Sequence, residues 1–270
     1  MPKRFLIVSQ TVAKTSPIGI LVTRPANQNQ NLVRLIKNAG DVAIVFPALE
    51  IKGNNDSPEL NNVINNLESF SMAIFISPNA VEHALESIFK HHNTVPPHIK
   101  LACVGRGSAL KLAEYGYSST LTPEEKYNSE SLLALPELQQ VKGEKIVIFR
   151  GNGGRNVLYD TLTARGAHVV YGECYRRVKP DTGNEPLIEF LKNGTARIIT
   201  TTSAEAIRNL YEMAAPETSA LLEIPVIAIS DRIATVCSEL GFKKIIITDN
   251  ASDEAIVSAI EQWKSTKNNL

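Results

Sequence analysis

The chain repeats itself at a constant distance. Arg24 follows the apolar run Ile20-Leu21-Val22-Thr23, and Arg150, 126 residues later, follows Ile146-Val147-Ile148-Phe149. Gly40 and Gly166 keep the spacing of 126 and precede second apolar runs, Val42 to Phe46 and Val169-Val170-Tyr171. Ser77 after Ala73-Ile74-Phe75-Ile76 matches Ser203 after Ile199-Thr200-Thr201-Thr202, again 126 apart. Leu101-Ala102-Cys103-Val104-Gly105 matches Val226-Ile227-Ala228-Ile229-Ser230 at an offset of 125. An offset held across separate segments is a duplication, with unit order A, B, A′, B′. The repeat leaves open whether the domains are AB and A′B′, or A with B′ around an inserted B with A′.

Each unit alternates short β-rich runs with helical periods, which predicts βαβ crossovers and parallel sheet. The runs are almost wholly apolar, as strands covered by helices on both faces must be. Gly40, Gly116, Gly166 and Gly241 are predicted just past helix ends, where a left-handed residue closes the last turn. A length of 270 residues suits two domains. Phe46-Pro47-Ala48-Leu49-Glu50 and Pro180-Asp181-Thr182-Gly183-Asn184 read as joints between them.

Composition removes several classes of function. Lys+Arg and Asp+Glu are both 28, so the net charge is zero, which argues against a nucleic-acid binder. An anionic ligand must then be held by local groups, not by a global field. Cys103, Cys174 and Cys237 form no C-x-x-C pair; they are read as buried small hydrophobes, not as a zinc ribbon or a disulfide framework. No run approaches the roughly 18 apolar residues of a membrane span. Residues 1–17 begin like a signal peptide, but Ser9, Gln10 and Thr11 cut the apolar stretch short; they are read as a leader, and the expected compartment is the cytoplasm. The histidines share no metal-ligand spacing, so no metal is expected. Gly151-Asn152-Gly153-Gly154 partly mimics a dinucleotide fingerprint, but Asn156 stands where a small residue belongs, and no cofactor is expected.

Ligands of open parallel sheets sit at the carboxyl ends of the strands. Those ends carry Thr23-Arg24-Pro25, Ser77-Pro78-Asn79, Gly105-Arg106-Gly107, Arg150-Gly151-Asn152, Thr201-Thr202-Ser203 and Ser230-Asp231-Arg232. Guanidinium forks, hydroxyls and backbone N–H groups at helix starts suit carboxylates or phosphates. The plainer reading is that Ser, Thr and Asn simply cap helices there. Tyr175, beside Arg176 and Arg177 just before the second joint, offers a phenol to a ligand; alternatively its ring packs and the arginines are solvated.

Together, Leu21-Val22-Thr23-Arg24-Pro25, Phe75-Ile76-Ser77-Pro78-Asn79-Ala80-Val81, Val104-Gly105-Arg106, Phe149 to Arg155 and Glu173-Cys174-Tyr175-Arg176-Arg177 resemble the uroporphyrinogen-III synthase family, bacterial type. The resemblance implies two open parallel-sheet α/β/α domains of flavodoxin-like order joined by a two-stranded connector. It places domain 1 at 18–47 and 180–265, and an inserted domain 2 at 48–179. A connector of two chains in turn predicts hinge motion between open and closed forms, with substrate favouring closure. The implied activity is cyclisation of hydroxymethylbilane, a linear tetrapyrrole, to uroporphyrinogen III with inversion of ring D and loss of water. It implies Tyr175 as the catalytic residue and Arg24, Ser77, Asn79, Gly105, Arg106, Arg150, Gly151, Ser203 and Ser230 as substrate-binding residues. No membrane or nucleic-acid partner is expected, and the chain is expected to be a monomer. A non-catalytic two-domain binder of an anionic ligand is the alternative.

Overall fold

A computed structural model describes residues 16–268. The expected leader therefore lies, apart from Ser16 and Pro17, outside the described residues. In chain order the strands are β1 (Gly19–Val22), β2 (Val42–Val45), β3 (Glu50–Gly53), β4 (Met72–Phe75), β5 (Lys100–Cys103), β6 (Lys145–Gly151), β7 (His168–Val178), β8 (Ala196–Thr201), β9 (Val226–Ala228) and β10 (Ile245–Ile247). The α-helices are α1 (Gln30–Asn38), α2 (Pro58–Asn65), α3 (Pro78–His91), α4 (Arg106–Glu114), α5 (Ser129–Leu133), α6 (Val157–Ala164), α7 (Glu185–Lys192), α8 (Ala204–Met213), α9 (Thr218–Glu223), α10 (Asp231–Leu240) and α11 (Asp253–Asn268).

The chain divides into two compact units, one comprising the chain through Glu50 and from Lys179 on, the other Ile51–Val178. In the first unit the sheet order is β10-β9-β8-β1-β2, with all four pairings parallel. Numbered within the unit this is the doubly wound 2-1-3-4-5 arrangement. The second unit has the order β3-β7-β6-β4-β5, and β7-β6, β6-β4 and β4-β5 are parallel. Its strands from β7 to β5 follow the first unit's order when A′ stands for A and B for B′. Its fifth strand, β3, joins the opposite edge, beside β7. On the β5 edge only an isolated parallel bridge, Ala102 to Leu121, marks where a further strand would lie.

Both sheets carry a core on each face, because successive side chains of a strand point to opposite faces. In β4 and β6, Ile74, Ile146 and Ile148 enter one core. Ala73, Phe75, Val147 and Phe149 enter the other. Phe75 and Phe149 stack there with ring centroids 5.3 Å apart. In the first unit Leu21 faces the core under α8 and α10, while Ile20 and Val22 face the core under α1 and α11. Burying each such aliphatic side chain contributes about 1.5–3 kcal/mol.

The helix ends follow the sequence. Gly40, Gly116, Gly166 and Gly241 all have positive φ, the conformation that turns the chain from helix to strand. Buried Asp41 holds the opening of β1: it accepts from Ile18 N at 3.1 Å and from Lys264 Nζ of α11 at 2.7 Å. All three cysteines are buried and free.

Candidate active site

The carboxyl edge of the second unit's sheet gathers the most chemistry. The pairing of β6 with β7 shifts there: Arg150 lies opposite Glu173, but Gly151 lies opposite Tyr175. The extra residue, Cys174, makes a β-bulge. Without it, strict alternation would send Tyr175 to the same face as Val169 and Tyr171. The bulge turns it over, so Cys174 and Tyr175 both enter the core beneath α3.

Tyr175 is fully buried. Its ring lies against Gly151, where a Cβ would overlap Tyr175 Cε2. Its hydroxyl is bracketed by two groups. Arg177 Nη2 donates to it at 3.1 Å, and Ser77 Oγ lies 3.2 Å away. Ser77 is the N-cap of α3 and accepts from Ala80 N at 3.1 Å. The Arg177 guanidinium also sits over the Tyr175 ring, 5.4 Å from its centroid, a cation–π contact. The His83 ring, further along α3, is 5.9 Å from the Tyr175 ring. Asn152 ties the bulge to the loop after β6, donating its N–H to Tyr175 O at 3.1 Å and accepting from Arg177 N at 2.8 Å. Cys174 Sγ donates toward Arg150 O at 3.4 Å, and burial pushes this thiol up to about 12.

Arg150 points to the opposite face. It is buried at 3% exposure and donates from Nε to Gly151 O at 3.2 Å and from Nη1 to Asn156 Oδ1 at 3.3 Å. It also bonds Gly153 O, and it lies 4.5 Å from the Tyr171 ring centroid. Gly153 and Gly154 both have positive φ, which wraps the loop around this guanidinium. Tyr171 in turn stacks on Tyr159 at 4.9 Å, and burial raises its phenol above the ordinary value despite the nearby cation. Gly105 is the N-cap of α4, and a Cβ there would meet Tyr127 Cβ at 3.1 Å. Arg106 is exposed in the first turn of α4, and Asn79 lies in the first turn of α3.

The first unit places the matching loops at the carboxyl ends of its own strands. Arg24 pairs with Asp253 Oδ1 at 2.7 Å and donates to Gln28 O at 3.3 Å. Ser203 caps α8, accepting from Glu205 N at 3.2 Å and Ala206 N at 3.4 Å. Ser230 occupies the N-cap of α10 without a side-chain capping bond. Thr23 and Thr200 spend their hydroxyls on each other's strand, Thr23 Oγ1 to Thr200 O at 2.9 Å and Thr200 Oγ1 to Leu21 O at 3.2 Å.

Of the sequence-predicted residues, the structure brings Ser77, Gly151 and Tyr175 into contact and sets Arg150 behind them on the other face. Arg24, Ser203 and Ser230 belong to the other unit. Ser77 and Ser203 do cap helices, in keeping with the plainer reading. Sequence reasoning names Arg177 and Asn152 only as neighbours of Tyr175 and Gly151, and misses His83. Arg177 carries a further signal, its place two residues beyond Tyr175 on a strand, where side chains return to one face. Among the described residues no group of three or more His, Cys, Asp or Glu is placed to hold a metal. No helix among them is long and apolar enough to cross a membrane.

Comparisons with known proteins agree along nearly the whole length. The family model described as uroporphyrinogen-III synthase HemD matches residues 30–258. The uroporphyrinogen-III synthase of Escherichia coli K12 is 32% identical over 248 residues, which is 90% of this chain and all of that protein. Its counterpart from Salmonella typhimurium is 32% identical over 247 residues, with the same shares. Among solved structures, the uroporphyrinogen-III synthetase of Helicobacter pylori 26695 superposes with a TM-score of 0.62 at 14% identity, covering 91% of this chain and 99% of that one. A mutant uroporphyrinogen III synthase of Thermus thermophilus gives 0.59 at 18% identity, with the same coverage. At such identities the structures speak for the fold, which is the two-domain α/β architecture described above. The sequence matches speak for the family: this chain belongs to the uroporphyrinogen-III synthases.

Proposed function

We propose that the chain is the cyclising lyase its family is named for, converting hydroxymethylbilane to uroporphyrinogen III and water. The observation that carries the catalytic assignment is the phenol of Tyr175, held between a hydroxyl and a guanidinium at the carboxyl edge of a parallel sheet. The substrate's hydroxymethyl group leaves as water once protonated, helped by the lone pair of its pyrrole nitrogen. Tyr175 donates that proton from its hydroxyl. The phenolate left behind is stabilised by Arg177, which already donates to the same oxygen, and by the Ser77 hydroxyl. The resulting azafulvene is electrophilic without further help. It closes at the substituted carbon of ring D only if the chain is held in that geometry, so selectivity is a matter of orientation. The spiro carbon so formed has no hydrogen to lose: its older bond to the ring C methylene breaks, that methylene closes instead on the free α-carbon of ring D, and the proton released from that carbon returns Tyr175 to its starting state.

The Tyr175 phenol is covered. The half-buried Arg177 lies over it, and the substrate carries eight carboxylates. A substrate carboxylate pairing with the outward side of the Arg177 guanidinium, while Nη2 keeps its bond to the phenol oxygen, brings the leaving hydroxyl beside the phenol. Asn79, Gly105 and Arg106 offer further polar groups to carboxylates at the strand ends of the same unit, and Arg24, Ser203 and Ser230 offer the same chemistry at the strand ends of the other. The balanced charge supports action without nucleic acid, and the chain is read as a monomer of the cytoplasm.

The test is a product-isomer assay. Hydroxymethylbilane is generated in situ, the purified protein is added, and the oxidised products are separated by chromatography. Predominantly type III uroporphyrin is expected. Type I at the spontaneous level would leave the anionic-ligand binder as the better reading.

A further inference from the structure

The second unit has a cavity of about 260 Å³ at the carboxyl edge of its sheet, on the face opposite the Tyr175 ring. Arg150, Arg155, Tyr171, Tyr127, Asn128 and Ser129 line it, with apolar side chains filling the rest of its wall. Nothing in the chemistry attributed to Tyr175 uses it. Three features say what it takes.

The first is charge. Arg150 is almost wholly buried, and its partners are two carbonyl oxygens, one amide oxygen and an aromatic face. Among the described residues it forms no ion pair. A buried cation solvated only by neutral dipoles is a standing attraction for an anion. Arg155, at the rim, is already paired with Glu130 at 2.6 Å, so the uncompensated charge is the inner one. The second is shape. The half-exposed Tyr127 ring gives the cavity an aromatic wall, suited to a flat ring, while the Tyr171 ring is already taken up by Arg150 and Tyr159. The third is size. A volume of about 260 Å³ lies just below the range of roughly 300–1,000 Å³ for drug-sized ligands, so it admits one ring and its short acid arm, not a tetrapyrrole.

We propose that this cavity is a second binding position for the substrate, receiving one carboxylate-bearing pyrrole ring with Arg150 as its counter-ion. The proposal rests on reading the chain as the synthase. The bulge at Cys174 gives it geometric sense. It sends Tyr175 to one face of the sheet edge while Arg150 and Tyr171 stay on the other. A flexible chain of four rings laid across that edge reaches both. Anchoring one ring behind the edge fixes where the reactive end lies in front of it, which is the orientation the reaction needs.

The experiment varies charge at Ser129, a half-buried cavity residue in the first turn of α5. Ser129→Asp places a carboxylate in the cavity in a position that helix starts favour, and Ser129→Lys places a cation there. Steady-state kinetics of type III formation is measured for both and for the unaltered chain. An added charge near a partly buried group changes affinity by about tenfold. The expected result is KM raised about tenfold by Ser129→Asp and lowered by Ser129→Lys, with kcat moving less than about twofold. A KM that stays flat across the series in an active protein overturns the cavity proposal and leaves the functional reading standing, as does a fall in kcat with KM unchanged. An unaltered chain that makes no type III isomer overturns both.

Discussion

Arg177 holds Tyr175 twice, by an N–H donated to the phenol oxygen at 3.1 Å and by its guanidinium lying 5.4 Å from the ring centroid. Because the oxygen already accepts from Arg177, the phenol hydrogen is left to point away from it, toward Ser77 Oγ or whatever replaces it. The two residues are neighbours on one strand but for Arg176 between them.

The first expectation concerns the phenol. Tyr175→Phe keeps the ring that fills the space against Gly151 and removes only the hydroxyl. Type III formation should fall about 10²-fold, the lower part of the range for general acid catalysis, because the leaving group is already activated by its own pyrrole. Thermal unfolding should be little changed. Full activity in this variant would remove Tyr175 from the chemistry.

A double-mutant cycle separates Arg177 from a merely structural residue. Arg177→Gln should lower kcat about tenfold in the unaltered background. In the Tyr175→Phe background it should have almost no further effect on kcat, because its target oxygen is gone. Additive losses would show that Arg177 acts on something other than the phenol.

Gly151 is the floor on which Tyr175 lies. A methyl group there would collide with Tyr175 Cε2. Gly151→Ala should destabilise the protein by about 1–3 kcal/mol through overpacking. A drop of about 2–12 °C in Tm follows for a chain this large. Activity at a temperature where the variant is folded should fall as well, since the ring must shift. Unchanged Tm and activity would mean that the ring moves freely.

The cysteines make a pH prediction. Burial pushes Cys174 up to about 12 and Cys103 and Cys237 up to about 11. Their folded values are therefore raised above those in the unfolded chain. In alkaline solution the unfolded state releases these protons first, so stability falls as pH rises. The contribution is fully present below the ordinary thiol range and is lost as pH climbs through 11. Denaturant melts from about pH 7 to about pH 10.5 should show the midpoint begin to drop above about pH 9, and an aromatic disulfide reagent at about pH 8 should label no buried thiol before unfolding. Rapid labelling of the native protein would contradict this.

Much of the architecture is legible in the sequence because it depends on patterns that repeat. The apolar runs at the offset of 126 are β1 and β6, β4 and β8, and their parallel pairing follows from being buried on both faces. The helix-ending glycines are legible because a left-handed turn demands that residue. The joint at Phe46 to Glu50 is legible only as a break: Phe46, Ala48 and Leu49 are in fact buried, and Glu50 already opens β3. The candidate site is legible as a set of residue types at strand ends, not as an arrangement. Strict alternation predicts one face for each residue of β7, and a bulge of a single residue, Cys174, reverses it for Tyr175. Nothing in the local composition announces that bulge. Arg150 is recognisable as a cation at a strand end, but its turn inward depends on the two positive-φ glycines of the following loop and on the distant ring of Tyr171.

The first unit is built from the two ends of the chain, and this has a temporal consequence. Thr23 of the first strand region bonds to Thr200, 177 residues away. A ribosome delivers β1 and β2 long before β8 exists to pair with them. Ile51–Val178, by contrast, is continuous and can close its sheet as soon as it emerges. During synthesis the nascent chain thus carries a finished module preceded by two orphan apolar strands, with β1 exposed on the edge reserved for β8. Translation pauses that fall between Val178 and Thr201 prolong that exposure, and they are where a holdase chaperone has most to protect.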